Sequence, residues 1–233
     1  MAWAMTKSWN HQNVASAIQH TLIGTTVTRE QVVAHAHECL EYGFQAAMVQ
    51  GSWVDVVAAE LSGTDVQVAS ALDFPEVGLM TSAGKAAEAA ELVRRGAQQI
   101  DIGVQIGWLK SGMYDEFAAD IRGVVEAAGV PIKVMLELPL LSDEQRVIAI
   151  EAALGAGVKY LKNASSGAIE KAKPESISFL VSHCPSGVGV KASGGITTLS
   201  QTVALLEAGA QMVGTSAGIS IVSGDSELGV VSY

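Results

Sequence analysis

Two lysines stand where a folded chain should avoid them. Lys162 closes the run VKYLK ahead of the loop NASSG, and Lys191 closes VGVK ahead of ASGG. Strand interiors exclude ammonium groups, because burying an unpaired charge costs several kcal/mol or strips its proton. Two ammonium groups in one partly desolvated pocket also repel, and both effects favour the neutral amine. Lowering a lysine pKa from about 10.4 to about 7 costs the charged form roughly 4 to 5 kcal/mol. The neutral amine is a nucleophile toward aldehydes and ketones, and its Schiff base drains electrons from a neighbouring C–C or C–H bond. Asp101, in QQIDIGV, is the residue available to move protons in such a reaction. The charges also permit a purely structural arrangement, in which Lys162 and Lys191 pair separately with Asp101 and Glu137.

Adjacent glycines, Gly194 and Gly195, follow Lys191, and GTSAG begins at Gly214 with Thr215 and Ser216 behind it. Backbone N–H groups and a helix start at such points are the usual equipment for holding a phosphate. Gly167, in the loop after Lys162, belongs with them. The stretch HAHEC invites a metal reading, but on a helix only His35 and Cys39 share a face, so no metal site is expected. No nucleotide-binding or dinucleotide-binding glycine motif occurs, so no such cofactor is expected. Lys133 shares its side-chain parity with Glu137, pointing either inward or to solvent at the strand's start, and receives no catalytic role. Trp108 is a candidate to line a pocket.

Positioning these residues requires parallel strands that end together. Short apolar runs alternate with amphipathic ones along the chain, the grammar of βα units. Strands are expected at IQHTLI from Ile18, QAAMVQ from Gln45, VQVASAL from Val66, QQIDIGV from Gln98, IKVMLEL from Ile132, VKYLK from Val158, VGVK from Val188 and QMVG from Gln211. Helices are expected between them, one capped by Thr28 and ended by Gly43, one opening at Thr81 or Ser82 and stopping at Gly96, one opening at Ser142. The fold class is therefore α/β, a (β/α)8 barrel, with an open doubly wound sheet as the structural alternative. Residues 1–233 are read as a single barrel domain with a short N-terminal extension. Asp101, Lys162 and Lys191 then gather at the C-terminal ends of their strands, where barrel active sites lie.

The totals agree with this reading. Hydrophobic residues make up 49% of 233, enough for a large core. Mean hydropathy is +0.32, yet no run reaches the roughly 18 to 20 apolar residues that span a bilayer. Lys7, Asn10, His11 and Gln12 interrupt any secretory signal, so a cytoplasmic protein is expected. A formal charge of −10 without a basic cluster argues against nucleic acid and anionic membranes as partners. Two distant cysteines, Cys39 and Cys184, make no disulfide framework.

At these residues the sequence resembles the deoxyribose-phosphate aldolase family, over nearly its whole length. IQHTLI looks like the family's first strand, EYGFQAAMV like its second-strand entry and IDIGVQIG like the segment with the catalytic aspartate. VKASGGIT is close to its lysine and paired glycines, and GTSAGISIV to its phosphate-binding end. The resemblance implies a class I aldolase without metal or cofactor, acting on a small aldehyde or phosphorylated sugar, and a homo-oligomer. Lys162 would form the Schiff base, Lys191 would perturb it and Asp101 would relay protons. The chain departs from the family at Gln19, where aspartate is usual, and in the loop after Lys162, whose glycine comes one place later. Ala168 and Thr197 replace basic residues, and Met48 and Gln50 stand where cysteine and asparagine are common. Rival readings are a Schiff-base lyase or transaldol-type enzyme with another carbonyl substrate, and a barrel that binds a phosphorylated metabolite without turnover.

Overall fold

A computed structural model describes residues 8–74 and 80–224. Much of the expected N-terminal extension, with Trp3 and Lys7, lies outside the described residues. Eight parallel strands close into a barrel in sequence order. They are β1 (Ile18–Leu22), β2 (Ala46–Gln50), β3 (Gln67–Leu72), β4 (Gln99–Ile102), β5 (Ile132–Met135), β6 (Tyr160–Lys162), β7 (Gly189–Ser193) and β8 (Met212–Thr215). Helices α1 (Arg29–Tyr42), α2 (Val54–Glu60), α3 (Ser82–Arg94), α4 (Ile106–Lys110), α5 (Tyr114–Ala128), α6 (Asp143–Gly155), α7 (Pro174–His183), α8 (Leu199–Glu207) and α9 (Gly218–Ser223) follow the strands. The barrel is the expected one, and the open sheet is excluded by the pairing of β1 with β8.

Local chemistry starts and stops the helices where expected. Thr28 caps α1 in a reciprocal capping box with Gln31, and Gly43 ends it in the left-handed region at φ 66°. Thr81 accepts from the backbone N–H of Gly84 to open α3, and Ser142 forms a capping box with Gln145 to open α6. Two differences at strand ends bear on the site. β5 stops at Met135, because Glu137 turns the backbone to φ 51° and a 3-10 turn, Leu138–Leu140, follows. β7 runs on to Ser193, which places Lys191 in its middle rather than at its end.

Most of the apolar core lies outside the barrel wall, where residues such as Ile100, Ile102, Phe117, Ile121 and Val134 pack strands against helices. Inside, a small separate cluster of Ala46, Met48 and Ala69 fills one side. Small side chains there leave volume for long polar ones, and the interior carries Gln19, Asp101, Lys133, Lys162 and Lys191, all buried. Gly214 makes part of that room: a Cβ on it would stand 2.8 Å from Cε of Lys191 and 2.6 Å from Oγ of Ser193. No helix among the described residues is long and apolar enough to cross a membrane.

Candidate active site

Asp101 is the third residue of β4, inward-facing and wholly buried. Its register neighbours lead round the barrel: Asp101 pairs with Lys133, Met135 with Lys162, and Lys162 with Lys191. Asp101 Oδ2 accepts from Lys162 Nζ at 3.0 Å and from Lys191 Nζ at 2.7 Å, and Oδ1 stands 3.0 Å from Lys133 Nζ. Both expected lysines thus share Asp101. The arrangement that paired one of them with Glu137 does not occur, since Glu137 lies past the end of β5, where its Oε1 accepts from the backbone N–H of Ser165 at 2.9 Å.

Burial pushes the Lys191 amine well below the ordinary lysine range; Asp101 opposes this, while Lys162 and Lys133 add to it. Burial likewise lowers Lys133. Burial alone would raise the Asp101 carboxyl, but Lys133, Lys191 and Lys162 together hold it well below the usual carboxylate range. The group is thus a fixed anion beside two amines, Lys191 and Lys133, that hold their protons loosely. Lys162 and Lys191 border a small cavity with Thr21, Met48 and Phe74, open to the C-terminal ends of the strands.

Beside it opens a cleft of about 300 Å³, bordered by all five expected anion-site residues, Gly167, Gly194, Gly195, Thr215 and Ser216. Gly194 holds φ 117°, and a Cβ there would fall 2.0 Å from the carbonyl oxygen of Glu170, so only glycine fits. Asn163 fixes the loop after Lys162, donating to Glu170 Oε2 at 2.8 Å and Ser193 O at 3.0 Å while accepting from Ser193 N at 2.9 Å. The hydroxyls of Ser165 and Ser166 line the cleft, buried and without a hydrogen-bond partner among the described residues. That of Thr215 is already committed, donating to Ile196 O and accepting from Ala217 N.

No family model matches this chain. A deoxyribose-phosphate aldolase of Geobacillus sp. (strain WCH70) is 37% identical over 214 residues, covering 91% of this chain and 96% of that protein. One of Methanothermobacter thermautotrophicus is 38% identical over 214 residues, covering 91% and 95%. The chain belongs to the deoxyribose-phosphate aldolase family. The solved structure of the tetrameric deoxyribose phosphate aldolase of Aeropyrum pernix superposes with TM-score 0.84 at 28% identity, covering 94% of each chain. As a member of this family the chain is an aldolase, which sets aside the rival readings of its function.

The structure also brings in three residues that sequence reasoning left without a role. Lys133 was given no role, yet it is an inward, fully buried partner of Asp101. Lys171 borders the cleft, with its stem beside Gly195, and brings a cation where Ala168 and Thr197 do not. His20, unassigned in the sequence, meets His35 with ring centroids 4.6 Å apart, and both adjoin Glu38. These three side chains bring ligand-type atoms within 4.8 Å of one another. A metal-bound histidine donates its second N–H to an acceptor, whereas Nδ1 of His20 and Nε2 of His35 have no partner among the described residues. The cluster therefore reads as packed rings, with burial and then neighbouring His20 holding His35 down to about 3. Trp108 stands half-buried on α4.

Proposed function

We propose that this chain reversibly cleaves 2-deoxyribose 5-phosphate to acetaldehyde and glyceraldehyde 3-phosphate through a Schiff base on Lys162. The observation that carries this reading is the sharing of one oxygen, Asp101 Oδ2, by Lys162 and Lys191. In the forward condensation Lys162 Nζ adds to the acetaldehyde carbonyl, and the proton it sheds passes through Asp101 Oδ2 to Lys191. The alkoxide so formed takes one proton from solvent to give the carbinolamine, whose hydroxyl takes the Lys191 proton back through Asp101 and leaves as water, giving the iminium. Loss of an α-proton makes the enamine, whose carbon adds to the acceptor carbonyl as that oxygen takes up a proton. Water releases the product and restores the amine. The iminium is the electron sink, so the steps as written use no metal or organic cofactor.

The phosphate belongs in the cleft beside the lysines. Supporting this are the unpartnered hydroxyls of Ser165 and Ser166, the close-set backbone of Gly167, Gly194 and Gly195, and the cation of Lys171. A charge-assisted bond of this kind is worth about 1.5 to 3 kcal/mol. We further propose a cytosolic homo-oligomer. The tetramer formed by the Aeropyrum protein supports the assembly, and the free thiols of Cys39 and Cys184 suit a reducing compartment. Sedimentation measures the subunit number.

The test is intact mass after borohydride reduction in the presence of acetaldehyde, followed by peptide mapping. The expected result is one reduced adduct, on Lys162, absent from Lys162→Ala. No adduct with acetaldehyde or with the sugar phosphate would overturn the proposal.

A further inference from the structure

Beneath Lys191, on the side away from the mouth, four glutamines form a connected set. Gln19 lies in β1, Gln45 just before β2, and Gln67 and Gln99 begin β3 and β4. Gln19 Nε2 donates to Gln45 Oε1 at 2.8 Å and to Gln99 Oε1 at 2.7 Å. Gln45 and Gln99 in turn donate to Gln67 Oε1, at 3.2 Å and 2.6 Å. Gln67 is exposed, whereas Gln19 and Gln99 are buried. With both N–H groups of Gln19 committed downward, its oxygen faces up, and Lys191 Nζ donates to it at 2.5 Å.

We infer that Gln19 is a positioning residue whose locked amide aims Lys191 at Asp101 and confines its proton to that route. An amide oxygen accepts a hydrogen bond but is not a base at neutral pH. Of the two acceptors on Lys191, Asp101 Oδ2 alone can exchange a proton with it, so the relay runs toward Lys162 and not down the glutamines to solvent at the barrel floor. A carboxylate at position 19 would add a second anion and hold the Lys191 proton more tightly. The amide keeps it mobile while still fixing the side chain. The orientation is over-determined: flipping the Gln19 amide would face its N–H groups toward the Lys191 amine and leave two oxygens below without their donor.

This inference rests on the Schiff-base reading of Lys162, and the two fail separately. The measurement is the pH dependence of the rate at which acetaldehyde becomes borohydride-trapped on the enzyme. Lys162 must be neutral to attack and Lys191 neutral to receive its proton, so the acidic limb reports deprotonation of the two amines coupled through Asp101 Oδ2. Gln19→Glu is expected to move that limb at least one pH unit upward. Gln19→Met, which removes the acceptor and adds no charge, is expected to move it downward, and it carries the test alone if the glutamate variant does not fold. A merely structural glutamine would lower the yield of folded protein and leave the limb in place. An unmoved limb in a folded variant that still forms the Lys162 adduct overturns the role of Gln19 alone. Absence of the adduct in the unaltered enzyme overturns the Schiff-base reading instead.

Discussion

Lys133 Nζ stands 3.0 Å from Asp101 Oδ1, on the opposite oxygen from the one Lys162 and Lys191 share. One carboxylate therefore couples three amines, and removing either partner of the pair has a different consequence. Lys133→Met leaves Asp101 with two cations and takes away one of the like charges that, after burial, lower Lys191. The variant is expected to fold, with the acidic limb of imine formation displaced to higher pH. Asp101→Asn strips the amines of the one anion they share among the described residues. It is expected to lower turnover by about 10² to 10⁴-fold through loss of the proton relay and stability by about 3 to 5 kcal/mol. Turnover and urea denaturation of the two variants, compared with the unaltered enzyme, check both. Equal losses in both would refute the asymmetry.

A second buried lysine cluster lies outside the lysine relay and is expected to govern stability. Lys85, on α3, lies 2.5 Å from Asp73 Oδ2 and 2.6 Å from Asp120 Oδ2, and also donates to Gly103 O at 3.0 Å. All three side chains are nearly inaccessible. Lys85→Met would leave two carboxylates buried together without a cation, a loss of about 3 to 5 kcal/mol. Asp120→Asn leaves Lys85 paired with Asp73 and should cost less. Urea midpoints read the order directly, and a mild Lys85→Met would show that water reaches the acids.

Much of this arrangement was legible before the fold was known, and the exceptions have physical causes. Lys162 and Asp101 are charged groups inside apolar runs, an anomaly visible in one dimension. Lys133 is the same anomaly in milder form, because a lysine at a strand's start can snorkel to water as easily as turn inward. The small residues Ala46 and Ala69 on other strands create the interior space it enters, and no local pattern reports that. Lys171 follows Gly167 in an irregular loop, where no period links it to the paired glycines it approaches. Gln45 opens its expected strand and Gln67 and Gln99 stand second in theirs, ordinary polar positions near a strand start. Their meaning appears only when the barrel closes and brings them beneath Gln19.

The cleft predicts a separation between phosphate recognition and bond chemistry. Lys171→Met is expected to raise KM for 2-deoxyribose 5-phosphate about 10- to 100-fold, the kinetic equivalent of one lost charge-assisted bond. Turnover of unphosphorylated 2-deoxyribose should scarcely change. Gly167→Ala should act in the same direction, because its Cβ would stand 2.9 Å from the backbone nitrogen of Gly195 and block that N–H from a ligand. Steady-state kinetics with the two sugars decides the matter: a loss shared equally between them would move Lys171 out of the phosphate site.

His35 gives the protein a pH dependence of stability with a defined sign. Unfolded, a histidine takes up its proton near pH 6.5; folded, His35 stays neutral down to about 3, with burial as the leading cause and His20 next. Between these values the unfolded state binds the extra proton, so stability is unaffected above about pH 6.5 and falls as the pH drops below it. The slope is about 1.4 kcal/mol per pH unit, or about 2 kcal/mol between pH 6.5 and 5. His35→Leu keeps an apolar side chain against the ring of His20 and removes the titrating group. Urea denaturation at the two pH values should show the variant losing about 2 kcal/mol less than the unaltered protein over that interval, whatever its stability at neutral pH. Parallel losses in the two proteins would mean that the folded state accommodates a charged His35, for which the half-exposed Glu38 carboxylate beside it would be the partner.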